Sequence, residues 1–163
     1  MLDQLDIEQK LSQWMIEFLE EPNPMLGSWA PCPYARQARI ANKLAIILSS
    51  IDLTAAIEKA KQLLEDKDVV VVAFDHTLIS HYELTLFVKT INEQLMQDDY
   101  VVLRDHPDDA EYINTVKMNF GHCGLLMIQR LSKLKQASEQ LLAKGYYQNW
   151  DTIDYHNMVD WRK

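Results

Sequence analysis

A chain of 163 residues, 48% of them hydrophobic and 25% charged, is long enough to bury one core without disulfides or metal and too apolar to remain disordered. Its 24 acidic residues outnumber 16 basic ones, for a net charge of -8, which argues against the basic footprint needed to bind nucleic acid or an anionic membrane. No apolar run approaches the roughly 20 residues of a membrane span, so no membrane association is expected.

Residues Met1 to Glu20 are acidic and amphipathic, without the basic start of a secretory signal. Cys32 and Cys123 are therefore expected as thiols rather than a disulfide, and the compartment as the cytoplasm. Leu11, Trp14, Met15, Phe18 and Leu19 recur at helical spacing, with Asp3 or Asp6 as N-cap, and Pro22 and Pro24 end that helix. The segment from Asn23 to Arg36 carries Gly27, Pro31 and Pro33 and reads as an ordered loop, held by Met25, Trp29 and Tyr34.

Leu44 to Leu48 is a short continuous apolar run and reads as a first strand. Asp52 then caps a helix whose apolar face is Leu53, Ala56, Ile57, Ala60, Leu63 and Leu64. Val69 to Phe74 is a second strand, β-branched and apolar on both faces. Ser80 and Glu83 match a capping box ahead of a helix burying Leu84, Phe87, Val88, Ile91 and Leu95. A third strand is expected over Tyr100 to Arg104. From Met127 through Leu131, Leu134, Ser138, Leu141 and Leu142 the spacing predicts a last long helix, closed by Gly145 in the left-handed conformation. The aromatic tail 146–163, with Trp150, Tyr155 and Trp161, is expected to pack on the same single domain.

Strand, helix, strand, helix, strand predicts an α/β fold with a small parallel βαβαβ sheet, flanked by helices and with extra helices at either end. In such sheets ligands bind beyond the carboxyl ends of the strands. Two expected strands run out into Asp75-His76 and Asp105-His106, so that two imidazoles, each beside a carboxylate, would share one edge. Histidine exchanges protons near neutral pH and is a frequent metal ligand, and a carboxylate orients its ring. The alternative is that these residues only cap turns at wet strand ends.

Cys32 lies between Pro31 and Pro33, a stiff presentation that suits a nucleophile or a metal ligand, or equally a small buried residue. Asn119-Phe-Gly-His-Cys-Gly124 places His122 and Cys123 between glycines that permit either close approach to a ligand or a simple break in structure. Cys32, His76, His106, His122 and Cys123 form a donor vocabulary for a transition metal such as zinc or iron, at spacings that match no closed zinc pattern. No phosphate loop or nucleophile elbow is present, and no nucleotide is expected.

Cys32-Pro-Tyr-Ala35, the strand-end histidines and Pro107-Asp-Asp-Ala-Glu-Tyr-Ile-Asn114 resemble a bacterial family of unknown function that carries an N-terminal Cys-Pro-Phe-Ala motif. That family shows His-Pro motifs after successive strands of a βαβαβ core. The resemblance covers roughly Trp14 to Arg130 and implies site positions at Cys32, His76, His106, Asn114 and Arg130. Here Tyr34 stands for the family's Phe, Thr77 for the Pro after its first strand-end His, and Asn-Phe-Gly-His-Cys for its Arg-Ser-Pro-Tyr-Pro segment.

The expectation is a small Cys/His-based enzyme or metal-dependent protein acting on a small polar substrate. Its catalytic set would be Cys32, His76, His106, Asp75 and Asp105, with Arg130 and Asn114 binding substrate. The rival expectation is a non-catalytic module that meets a protein partner, or itself, through its acidic surface and aromatic tail.

Overall fold

The computed structural model describes residues 2–50 and 52–162. The chain begins with α1 (Gln4–Trp14), capped by the Asp3 carboxylate accepting from the Asp6 N–H, and its last turn widens into a π turn at Met15–Leu19. A loop with one 3-10 turn leads to a short α2 (Ala35–Ile40), which the sequence reading missed. That loop is anchored by Leu26, fully buried, whereas Met25 is exposed.

The next five elements follow the predicted order: β1 (Leu44–Leu48), α3 (Leu53–Leu63), β2 (Val69–Phe74), α4 (His81–Leu95) and β3 (Tyr100–Asp105). Asp52 caps α3 through the Ala55 N–H, and Ser80 and Glu83 form the complete capping box of α4. A two-stranded hairpin, β4 (Tyr112–Ile113) and β5 (Val116–Lys117), precedes β6 (Gly124–Arg130). α5 (Leu131–Ala143) and α6 (Thr152–Met158) complete the chain.

The sheet corrects the expectation of a parallel βαβαβ core. Its order is β1-β2-β6-β3, with β1 parallel to β2 and β6 antiparallel to both of its neighbours. The stretch expected to open the last helix, from Met127 onward, instead belongs as far as Arg130 to β6, and α5 begins only at Leu131. A continuous apolar run fits a doubly covered strand as well as a buried helix, and here the space between β2 and β3 decides for the strand. Gly124 makes that insertion fit: it lies opposite Phe74 in the ladder, and a Cβ there would enter the Phe74 ring.

Because β2 and β3 both oppose β6, they remain parallel to each other. Their carboxyl ends, and that of β1, still leave the sheet along one edge.

Both faces of the sheet are covered. α3 and α4 pack Ile57, Ala60, Leu84 and Val88 against Val70, Val72, Leu126 and Ile128. α1 packs Ile7 and Leu11 against Val71, Ala73 and Leu125 on the other face. The tail folds back onto the chain: Tyr146 is buried and donates to the Pro31 carbonyl at 2.7 Å, after Gly145 takes the left-handed φ of 83° that closes α5. Arg162, also buried, donates to the Ser138 hydroxyl of α5 and to the Met158 carbonyl. Trp150 is half-buried against Tyr146 and Tyr147, whereas Trp161 is exposed.

Candidate functional site

The carboxyl edge of β1, β2 and β3 brings three imidazoles together. His76 begins a 3-10 turn after β2, His81 opens α4 behind its capping box, and His106 follows β3. The His76 and His106 rings meet edge-on with centroids 5.6 Å apart, and His81 lies 6.1 Å from His106. Thus both strand-end pairs do share one edge, while His81, given no part in the sequence reading, is their neighbour. Its position was legible in hindsight: the capping box puts residue 81 on the first turn, facing the strand ends.

The chemistry differs from the expectation. His106 is 1% exposed, and both its ring nitrogens have partners. Nε2 lies 2.8 Å from the Ile79 carbonyl, which can only accept, so this nitrogen carries the proton. Nδ1 accepts from the Asp108 N–H at 3.1 Å. No lone pair remains for a metal or a substrate, and His106 ties the β2–α4 loop to the end of β3.

Asp105 does not orient that ring. It is buried, and its two oxygens accept from the Asn119 side-chain amide at 2.7 Å and the Phe120 N–H at 2.8 Å. Burial pushes its carboxyl up from the ordinary range, against the pull of those bonds. Asn119 also donates to the carbonyls of His106 and Asp109, which makes it the hub of the loop after β3. Its amide, read earlier only as the start of a glycine-bounded stretch, can bond several backbone groups at once.

Asp75 directs one oxygen, Oδ1, to both the N–H and the hydroxyl of Thr77, and these bonds hold its carboxyl below the usual range. It is thus a turn cap, and the His76 ring stands without a hydrogen-bond partner among the described residues.

Of the remaining expected site residues, Cys32, Arg130 and Asn114 lie elsewhere, whereas Cys123, just before β6, stands by the Phe74 backbone and the Asp75 and Asp105 carboxylates at this edge. Cys32 sits beside Leu19, Tyr34, Ala35 and Tyr146; burial pushes its thiol up, the opposite of an activated nucleophile. Cys123 is fully buried on the α1 face, and burial pushes it up to about 11. His122, one residue earlier, is exposed and packs edge-on against Phe120. Arg130 ends β6, which runs the opposite way, so it occupies the far edge and covers the Tyr100 ring at 4.3 Å. Asn114, in the left-handed conformation at φ 54°, ties the β4–β5 hairpin to two other segments. Its amide donates to the Met25 and Asn149 carbonyls and accepts from the Asp151 N–H. Among the described residues no group of three or more His, Cys, Asp or Glu is placed to hold a metal ion. His76, His106 and Cys123 share the carboxyl edge without forming such a group, and Cys32 lies apart.

What the edge does contain is a cleft of about 220 Å³ between the β1–α3 and β2–α4 connections. Leu53, Phe74 and Ile79 give it apolar walls, and Ser50, Asp75 and Glu83 supply its polar groups. Glu83 is engaged through Oε2 only, by the N–H and hydroxyl of Ser80, and these bonds lower its pKa. Asp75 Oδ2 and Glu83 Oε1 thus take no hydrogen bond among the described residues, and both carboxylates are held in the ionised form. The N-terminus of α3, which elsewhere would attract an anion, is already met by Asp52.

Comparison of the chain with protein-family models, with curated proteins and with solved structures found no match.

Proposed function

We propose that this protein binds a small cationic molecule, an amine or guanidine of few heavy atoms, in the cleft at the carboxyl edge of β1 and β2. The observation that carries the reading is the pair Asp75 and Glu83: two ionised carboxylates in one cleft, each with one oxygen fixed by a helix or turn start and the other unengaged. Charge-assisted hydrogen bonds from a bound N–H to such oxygens are stronger than neutral ones. The volume of about 220 Å³ falls below the roughly 300–1,000 Å³ of pockets for drug-sized ligands, which sets the size class. Two negative charges there oppose phosphates, so a nucleotide does not suit the site.

A reaction driven by Cys32 with His76 and His106 gets no support from this geometry, since His106 has no open nitrogen and the Cys32 thiol is raised. Kinship with the Cys-Pro-Phe-Ala family fits the alternation of β1, α3, β2, α4 and β3 but adds no reaction. A cytoplasmic setting fits two unpaired cysteines, and no helix of the described residues is long and apolar enough to cross a membrane.

Calorimetry and amide-resolved NMR on the full chain, titrated with arginine, putrescine and, as the anionic control, phosphate, test the reading. Saturable amine binding with shifts at Ser50, Asp75 and Glu83 is expected. The double variant Asp75→Asn/Glu83→Gln keeps both caps, removes both charges and should weaken binding about tenfold or more. Amines that never saturate, or phosphate that binds equally well, would refute it.

A further inference from the structure

We infer that the amine held in this cleft carries an apolar tail, and that the tail lies in the groove between α3 and α4. The inference rests on the reading of Asp75 and Glu83 given above and names the ligand class: a monoamine with a short alkyl or aryl substituent. The small volume of the cleft then limits the cationic head alone.

The cleft adjoins a second, more open hollow of about 540 Å³, lined by Thr54 of α3 and by Glu83, Leu86, Phe87, Thr90 and Ile91 of α4. The two hollows meet on both helices. Leu53 lines the cleft and Thr54, the next residue of α3, lines the groove, while Glu83 lines both. On α4 the groove residues follow one another at spacings of three and four, so they share one face of the helix. From Glu83 to Ile91 that face rises by eight residues, about 12 Å at 1.5 Å each.

Phe87 and Ile91 are half-buried against the core, whereas Leu86 is 65% exposed. Leu78, on the wall of the cleft, is 53% exposed. A single exposed leucine needs no explanation, but these two stand along one continuous path. Charge sets the direction of a ligand on that path. Glu83 is the one charged residue lining the groove among the described residues, and it stands at the cleft end. Glu58 and Lys61 of α3 pair with each other at 3.2 Å. A cationic head therefore finds its counter-charges at one end only, and whatever follows it along the groove meets methyl, methylene and aromatic surface. A second ammonium placed there would lose water without gaining a partner. The path thus suits a monoamine better than a diamine of the same length.

Calorimetry and amide-resolved NMR on the full chain, with ethylamine, butylamine, hexylamine and hexamethylenediamine, test the inference. Affinity should rise about twofold per added methylene, against roughly fourfold for complete burial, because one side of the tail stays open to water. Hexylamine should bind about tenfold tighter than the diamine of equal length. It should also shift the Thr54, Leu86 and Thr90 amides, which ethylamine leaves in place. Leu86→Gln, at an exposed position outside the cleft, should weaken hexylamine about fivefold and leave ethylamine unchanged. Equal affinities along the series, or a diamine bound as tightly as hexylamine, would overturn the inference while the cleft reading stands. If no amine of any length binds, both fall together.

Discussion

At the β3 edge, the outward N–H and C=O of Val102 are both held by one side chain, the buried Asn92 of α4, at 2.9 Å each. At the β1 edge, among the described residues, only the Ile46 carbonyl is held, by an exposed Gln4. The two amides do the same chemistry in different surroundings. Asn92 imitates the next strand from within the core, whereas Gln4 competes with water at every moment. β3 is further secured by Asp99 at its start, whose carboxylate accepts from the N–H and hydroxyl of Ser132 in α5, and by Arg104, which pairs with Asp109 at 2.8 Å. The lesson is that a sheet edge is closed by where the capping amide sits, not by its presence alone.

The comparison can be broken most sharply at Asn92. Asn92→Leu strands a buried N–H and a buried C=O and should cost about 2–4 kcal/mol, read as a lower denaturation midpoint in urea. An unchanged midpoint would mean that water replaces Asn92 freely, and the two edges would then be equivalent. Asp99→Ala comes next. It removes the cap of α5 at a left-handed position (φ 64°), for an expected loss of about 1–2 kcal/mol, and Asp99→Asn should recover part of it.

Glu111 tests the charge near β3. Burial pushes its carboxyl up to about 7 from an ordinary 4.5, with Asp105 and Asp109 adding to the push against Arg104. Its folded pKa lies above its unfolded one, so the folded chain holds this proton more tightly. The resulting contribution is full below the unfolded value and is lost as pH rises through about 7. Glu111→Gln should therefore flatten the fall in stability between about pH 5 and 8, measured by denaturation at both ends. A slope identical to that of the unaltered chain would place the titration elsewhere.

The smallest effect is expected at Gln4. Gln4→Ala should shift the urea midpoint by no more than about 0.5 kcal/mol, because the bond is exposed. A loss as large as that of Asn92→Leu would show that the exposed amide closes its edge as firmly as the buried one.

Much of the carboxyl edge was legible beforehand, and the reason is local. Ser80 and Glu83 satisfy each other's helix-start groups within four residues, and Val69 to Phe74 has no helical alternative that its β-branched side chains favour. The shared exit of Asp75-His76 and Asp105-His106 was anticipated from a parallel sheet of neighbouring strands. It holds for a different reason, since β6 runs between β2 and β3 and reverses direction twice over.

The roles of individual residues were not legible, because their partners are distant in sequence. His106 is bound by the carbonyl of Ile79, 27 positions earlier, and Asp105 by Asn119, 14 positions later. Arg130 looked like a substrate clamp until the direction of β6 carried it to the far edge.

By itself, then, the sequence determined the starts of α1, α3 and α4, the three strands β1, β2 and β3 and the edge to which they point, since short-range hydrogen bonding and side-chain branching act within a few residues. Tertiary structure alone decided which polar groups are left open there. A carboxylate or imidazole is available to a ligand only when no other part of the chain satisfies it, and that depends on loops folding together from across the whole polypeptide.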